Sequence, residues 1–158
     1  MNTRKQSLLD ELTRLVRADL EGAEHAQRET VAGATHEQAR PENDKDTRAL
    51  EQSYLARGQA QRVEQLRVEL AELLALKPRA FAEAAPIALG ALVTVEEDGA
   101  VRTLFVAPAR GGSELTGSVH VVTPTSPLGR ALLGRSAGDF CEVRLPQKLR
   151  ELSIVSVE

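Results

Sequence analysis

The sequence predicts an α+β protein with two parts. A long antiparallel helical hairpin, or coiled coil, is expected in residues 1–77, and a small antiparallel sheet domain with one short helix in residues 78–158. Apolar residues in the first part recur every three or four positions. Beyond Lys77-Pro78, glycine, proline, valine and threonine dominate instead. The Asp98-Gly99 pair in the second part is typical of a two-residue turn between antiparallel strands.

Two apolar stripes predict the helices of the hairpin, over about residues 3–38 and 46–76. Their three-four alternation is typical of packed helical pairs. Each arm of about 30 residues would be roughly 45–50 Å long. The stripe positions are Leu9, Leu12, Val16, Ala23 and Ala26 in the first helix and Ala49, Ala56, Val63, Leu66, Leu70 and Leu73 in the second.

The break between the stripes predicts the hairpin turn. Pro41 disfavours helical geometry at Arg40, and Asn43, Asp44 and Asp46 can each cap a new helix. The stripes are leucine-rich at the base of the hairpin and thin to alanine, serine, glycine and threonine toward the tip. Because less apolar area is buried there, the tip is expected to be the least stable part.

The second half carries strand signals and one helix signal. Ser126 is predicted to cap the short helix, Pro127 to occupy its first position and Gly134 to end it. Leucines at 128, 132 and 133 can then pack on the sheet. The strands are predicted over residues 87–96, 101–107, 119–123, 140–145 and 152–157.

Composition excludes several classes of site. Aromatic residues make up only 3% of the chain, which argues against stacked-base sites and aromatic cages. The net charge of −3 disfavours sequence-independent DNA binding. A single cysteine, Cys141, excludes an internal disulfide and a thiolate zinc cluster. No apolar run approaches the roughly 20 residues of a membrane span. Near the N-terminus, Leu8 and Leu9 are followed at once by Asp10 and Glu11, which argues against a signal peptide. We therefore expect a soluble, cytoplasmic protein.

The segment from Val122 to Gly134, followed by Gly138-Asp139, closely resembles the C-terminal signature of Gre-type transcript-cleavage factors, the GreA/GreB family. The residues from Asp46 onward look like a Gre-like branch with a divergent tip. The resemblance implies an FKBP-like sheet domain that binds bacterial RNA polymerase at the rim of its secondary channel. In the family the strand-to-helix loop makes this contact, and Thr125, Ser126 and Pro127 occupy it here, with Thr125 departing from the usual polar or acidic residue.

The resemblance also implies a role for the hairpin. It would enter the secondary channel, where acidic tip residues help to hold a catalytic Mg²⁺ while the polymerase cuts the 3′ end of backtracked RNA. The protein would then be a monomer that is not itself an enzyme, has no cofactor of its own and shares Mg²⁺ with the polymerase.

The tip departs from the family pattern. Pro41 falls on the family glycine, Glu42 on the first acid and Lys45 on the second acid. The catalytic candidates are Glu42, Asp44 and Asp46, with Asp44 and Glu42 as candidate Mg²⁺ ligands, because Mg²⁺ prefers carboxylate oxygens. Helix capping is the alternative explanation for these acids.

Other interpretations stay open. Arg40 and Arg48 could contact RNA phosphates or acidic channel walls, or form a solvated, ion-paired face. Lys45 favours a second mode, in which the protein occupies the channel without stimulating cleavage. A prolyl isomerase, suggested by the FKBP-like fold, would need an apolar, aromatic-lined pocket. A bare coiled-coil dimer is disfavoured by the turn at Pro41.

Overall fold

The computed structural model describes residues 2–37 and 45–158, with side chains for 2–33 and 47–158. Two long helices begin the chain: α1 spans Thr3–Glu37 and α2 spans Lys45–Ala75. The ends of both helices lie within one residue of the predicted ends, so the two helices of the predicted fold class are present. No helix within these ranges is long and apolar enough to cross a membrane.

The chain divides into two compact units. One joins Met1–Thr13 to Glu72–Glu158, and the other is Arg14–Ala71. The first unit therefore includes the beginning of α1 and the end of α2 as well as the sheet. Leu8, Leu9 and Leu12 are buried in it, as is Leu73. The predicted division into a hairpin over residues 1–77 and a sheet domain over residues 78–158 stays a prediction.

In the Arg14–Ala71 unit, burial is concentrated at one end of the helical pair. Val16, Val63 and Leu66 are buried, whereas Ala23 and Ala56 are only half-buried. The outermost stripe positions, Ala26 and Ala49, are exposed. The predicted thinning of the seam is thus confirmed. Leu70 corrects one detail, because it is half-buried rather than fully buried.

An ion pair links the two helices within this unit. The Glu24 carboxylate lies 3.2 Å from the Arg67 guanidinium, which also lies 3.8 Å from Glu64 one turn away. Both side chains of the interhelical pair are partly exposed, so the pair adds little stability.

The sheet has six strands in the order β3-β4-β2-β1-β6-β5. The prediction of an antiparallel sheet needs one correction, because β2 and β4 run parallel. The chain leaves β2, makes the short strand β3 and returns beside β2 in the same direction. That two-residue strand was not predicted, β1 is shorter than predicted and β6 is longer. The strands are β1 Leu92–Glu97, β2 Ala100–Val106, β3 Glu114–Leu115, β4 Val119–Val122, β5 Phe140–Leu145 and β6 Lys148–Val157.

The turn between β1 and β2 forms as predicted. Asp98 and Gly99 have φ values of 53° and 76°, the left-handed pair that a tight hairpin turn requires. Glu97 and Ala100 close the ladder on either side. The turn fixes the register of β1 against β2, and hence which side chains share a face.

The short helix α3, Pro127–Leu132, packs on part of one face of the sheet. Leu132 is fully buried there, and Leu128 and Leu133 pack partly buried against the same core, as predicted. The sheet side of this core comes from alternate positions of β1, β2, β4, β5 and β6. These are Val93, Val95, Leu104, Val106, Val122, Cys141, Val143, Leu152 and Ile154.

Polar contacts tie the start of α1 to the rest of its unit. The buried Lys5 ammonium donates to the Arg79 carbonyl oxygen at 2.9 Å and lies 4.5 Å from the centre of the Phe81 ring. Burial lowers the pKa of Lys5. The Glu11 carboxylate accepts the Thr116 backbone N–H at 3.2 Å. The sheet domain therefore depends on the first turns of the hairpin for part of its packing.

Candidate functional site

The loop between β4 and α3 is fixed by one hydroxyl. Ser126 is the helix cap, and its side chain accepts the Gly129 N–H at 3.0 Å. The same hydroxyl donates to the Thr123 carbonyl oxygen at 2.8 Å. Pro127 takes the first helical position, where its missing N–H and fixed φ suit the helix start. The predicted capping role of Ser126 is confirmed.

Gly129 allows the helix to approach this loop closely. A Cβ atom at this position would lie 1.8 Å from the Thr123 carbonyl oxygen and 3.1 Å from the Ser126 hydroxyl. The nearest neighbour is backbone, which cannot swing away as a flexible side chain can. The loop is therefore clamped between β4 and the first turn of α3.

This close packing determines which side chains of the loop are exposed. Thr125 and Pro127 are exposed, whereas Ser126 is half-buried and uses its hydroxyl inside the loop. The Thr123 and Thr125 hydroxyls lie 3.4 Å apart. The three predicted binding residues are thus adjacent on one rigid turn. Thr125 and Pro127 expose their side chains, whereas the Ser126 hydroxyl is used within the loop.

An open cleft of about 460 Å³ lies beside this loop, on the sheet face that carries α3. Thr123 and Ser126 stand at its edge with the turn at Gly111-Gly112. Its described lining contains no Phe, Tyr or Trp. The others that line it are Val95, Arg102, Leu104, His120, Val121, Val122, Leu128, Arg150 and Leu152.

A buried carboxylate organises one end of the cleft. Glu97 is only 5% exposed, and its two oxygens accept from the Arg150 guanidinium at 2.7 and 2.8 Å. A second guanidinium, that of Arg102, lies 4.0 Å from the same carboxylate. The hydrogen bond from Arg150, together with the charges of both arginines, holds the pKa of Glu97 below its usual range. The same bond raises the pKa of Arg150.

The predicted tip residues are not brought into a described site. Arg40, Glu42 and Asp44 lie outside the described residues. Asp46 is the second residue of α2, but its side chain is not described, and Arg48 is exposed on the same helix. Within the described ranges, no group of three His, Cys, Asp or Glu residues could hold a metal ion. The Mg²⁺ assignment and the RNA contacts of the tip stay predictions.

Sequence reasoning missed the cleft and its charged end. The signal was present, because Glu97 continues the inward-facing alternation of Val93 and Val95 along β1. Arg102 lies opposite Val95 in the β1–β2 register. A charged residue at a core position predicts a partner of opposite charge, and Arg150 is that partner.

Comparisons with known proteins agree with the resemblance seen in the sequence. Residues 83–158 match the family model described as "Transcription elongation factor, GreA/GreB, C-term". The chain is 33% identical over 73 residues to transcription elongation factor GreA of Rickettsia prowazekii (strain Madrid E). It is 32% identical over 72 residues to GreA of Thermomicrobium roseum. Each match covers 46% of this chain and 44% of the relative, so the chain spans under half the length of the curated relatives it matches.

The solved structures that match this chain include two Gfh1 proteins. The GreA factor homolog 1 (Gfh1) of Thermus thermophilus is 20% identical, with a TM-score of 0.40 over 95% of this chain and 92% of that one. Gfh1 of Thermus aquaticus is 20% identical, with a TM-score of 0.42 over 92% of each chain.

Proposed function

We propose that this chain is a Gre-family transcription elongation factor that binds bacterial RNA polymerase in the cytoplasm, because residues 83–158 match the GreA/GreB C-terminal family model. The sheet domain holds the rim of the secondary channel, and the helical hairpin enters the channel to promote cleavage of backtracked RNA. The family match of the C-terminal half is the observation that carries the proposal. The chain is not itself an enzyme in this scheme, since the polymerase performs the cleavage.

The clamped loop supports the binding step. Thr125 and Pro127 are exposed on a turn whose backbone is fixed by the Ser126 hydroxyl and by the close approach of Gly129. A preformed turn loses little conformational freedom on binding, so more of the contact energy appears as affinity. The binding test uses the whole chain, because Met1–Thr13 belongs to the same compact unit as the sheet.

The hairpin supplies the cleavage step. Its tip carries Glu42, Asp44 and Asp46, whose carboxylates are the hard oxygen donors that suit Mg²⁺. Such an ion would stabilise the charge that develops on the cleaved phosphodiester. A pair of long helices such as α1 and α2 can carry these carboxylates to the polymerase active site, so the chain needs no catalytic pocket of its own. Contacts of Arg40 and Arg48 with RNA would help to position the 3′ end.

The decisive experiment is transcript cleavage by a stalled elongation complex, with and without the protein. Asp44→Asn keeps the shape and capping ability of the side chain but removes its charge. We expect cleavage to fall by at least about tenfold, which is roughly 1.4 kcal/mol of barrier, with polymerase binding and melting temperature unchanged. Glu51→Gln, an exposed carboxylate on α2, is the matched control and should cleave like wild type. Equal cleavage by wild type and a triple Glu42, Asp44 and Asp46 amide variant would refute a role for the tip acids.

One observation favours a second mode. Lys45, the first residue of α2, stands where the family's second acid falls, and an ammonium cannot ligate Mg²⁺. In this mode the protein occupies the channel and modulates the polymerase without cleavage. Tight binding of wild type with no stimulated cleavage, and with slowed elongation, would support it over the first mode.

A prolyl isomerase gains no support from the cleft. Its described lining combines aliphatic side chains with two arginines and a histidine, whereas an isomerase would require an aromatic-lined pocket for the proline ring.

A further inference from the structure

Beyond the function proposed above, we propose that β5 is a self-association edge, through which two copies of this chain form an antiparallel dimer centred on Val143. The partner is a second copy of β5, so that each six-stranded sheet extends into the other. In this pairing Glu142 of each copy lies opposite Arg144 of the other. The monomer expected from the family resemblance is then the dilute form of the protein.

The two edges of the sheet differ in length. The sheet ends at β3 on one side and at β5 on the other. The strand β3 has only two residues, whereas β5 has six and contains no proline. An edge strand of that length offers a row of unpaired backbone groups to another strand. Within the part of the chain that the structure describes, β5 is therefore the one sheet edge long enough to pair with another chain.

The free backbone groups of β5 belong to alternate residues. Just before the strand, the Asp139 carbonyl oxygen accepts the Ile154 N–H of β6 at 2.8 Å. Successive residues of a strand direct their N–H and C=O groups to opposite sides, so every second residue after Asp139 also bonds to β6. The backbone groups of Phe140, Glu142 and Arg144 therefore point away from β6, into the open edge.

Two side chains at this edge carry opposite charges. Glu142 and Arg144 are exposed and share one face of the sheet, because they are two residues apart on β5. Neither side chain forms an ion pair or a hydrogen bond within the described residues. A lone charge on an edge strand opposes pairing with a second copy, because it meets its own sign there. Two opposite charges at this spacing instead favour one pairing.

The charges select the register of this pairing. An antiparallel pair centred on Val143 brings Glu142 opposite Arg144 on both sides of the twofold axis. Because both residues direct their backbone groups into the open edge, each such pair also exchanges N–H···O=C bonds. A pair centred on Glu142 or on Arg144 would set two like charges directly opposite each other, which is destabilising. The register centred on Val143 therefore satisfies the backbone and the charges together.

Apolar side chains flank the charged pairs in the same register. On the opposite face, Val143 meets its own copy at the axis, and Cys141 lies opposite Leu145. Leu145 is 38% exposed and Phe140 is 51% exposed. Phe140 lies on the charged face, opposite Pro146 of the other copy. The pairing thus removes apolar surface from water, but the contact is small, so we expect a Kd of about 10–100 µM.

The self-association edge is separate from the loop proposed to bind polymerase. That loop follows β4, and the strands β2, β1 and β6 lie between β4 and β5. Four strand spacings amount to about 19 Å. Loss of polymerase binding and loss of the dimer are therefore distinguishable results, because the first bears on the proposed function and the second on this inference.

Sedimentation equilibrium of the full-length protein, from about 5 to about 500 µM, tests the dimer. The mass of wild type should rise from 17.1 kDa toward twice that value as the concentration increases. Glu142→Arg and Arg144→Glu should each weaken self-association by at least about tenfold, because like charges then face each other. An equimolar mixture of these two variants should recover the wild-type mass, since every charge meets its opposite in the mixed dimer. Arg62→Glu, at an exposed position of α2, is the matched control and should dimerise like wild type.

Amide hydrogen exchange, followed by NMR at low and high protein concentration, locates the interface. The Glu142 and Arg144 N–H groups should exchange more slowly in the concentrated sample, whereas the Val143 N–H, which points toward β6, should change far less. Melting curves confirm that each variant is folded. A wild-type mass of 17.1 kDa at every concentration, or a dimer that both charge reversals leave intact, would overturn the inference. A dimer in which the Glu142 and Arg144 amides exchange as in the dilute sample uses another surface and overturns it as well.

Discussion

Replacing Gly129 by alanine tests whether the loop before α3 is as rigid as its contacts indicate. The new methyl group would lie 1.8 Å from the Thr123 carbonyl oxygen, where carbon and oxygen normally stay above about 3 Å apart. Either β4 or the first turn of α3 must shift by more than 1 Å or so. That shift would also pull the Gly129 N–H away from the Ser126 hydroxyl.

The expected cost combines three effects. Overpacking against fixed backbone costs about 1–3 kcal/mol, and loss of the cap about 1 kcal/mol. The better helix propensity of alanine returns at most about 1 kcal/mol. The net loss of about 2 kcal/mol should lower the melting temperature of the sheet unit by roughly 8–16 °C. Polymerase binding should weaken with it, because Thr125 and Pro127 move.

Gly58→Ala is the matched control for this substitution. Gly58 lies inside α2 and is exposed, and a methyl group added there would meet no atom within 4 Å. Alanine at this position should therefore stabilise the hairpin by about 0.5–1 kcal/mol. Scanning calorimetry measures the melting temperatures of both variants, with Gly129 in the unit that holds the sheet and Gly58 in the Arg14–Ala71 unit. A Gly129→Ala protein that melts within about 2 °C of wild type would refute the reasoning that this loop is rigid.

Two further predictions concern the seam and the buried carboxylate. Leu66→Ala should cost about 2–5 kcal/mol because Leu66 is 1% exposed, whereas Leu70→Ala should cost clearly less; equal losses in thermal melts would contradict the observed difference in burial. Glu97→Gln should cost about 1.5–3 kcal/mol near pH 7. Because the folded pKa of Glu97 is lowered, its contribution is full above its ordinary pKa and is lost as the pH falls through the folded value. Urea titrations should therefore show the gap between wild type and variant closing in acid, and a constant gap would be inconsistent with the ion pair.

The hairpin and the short helix could be predicted because their signals are local. A three-four apolar alternation defines a helix without knowledge of its partner, and the Ser126-Pro127 start carries its own cap. The thinning of the seam followed directly from side-chain size along the stripe. Leu70 shows the limit of this reasoning, since stripe position alone does not give the depth of burial.

The sheet was harder to predict where its pairing is not local. The Asp98-Gly99 turn gave the β1–β2 hairpin, but the parallel pairing of β2 with β4 depends on a crossover through residues 107–118 that has no strong pattern. The two-residue strand β3 exists only because β4 lies beside it. Such short elements are stabilised by tertiary pairing and not by propensity.

The compact units of the chain depend on contacts that composition does not show. Composition changes at Lys77-Pro78, yet the compact unit that holds the sheet also takes in Met1–Thr13. Long-range contacts such as Lys5 to the Arg79 carbonyl and Glu11 to the Thr116 N–H make this connection. A shift in composition marks where secondary structure changes, whereas these contacts decide which residues pack together.

The buried Glu97 is better explained by the strand pairing that it specifies than by net stability. A buried ion pair typically adds no more stability than apolar residues of the same size would, and the neighbouring inward positions, Val93 and Val95, are apolar. An apolar residue at position 97 would serve the core at least as well. What the carboxylate does instead is accept two hydrogen bonds from Arg150, which ties β1 to β6 at this one register and specifies the pairing of the two strands.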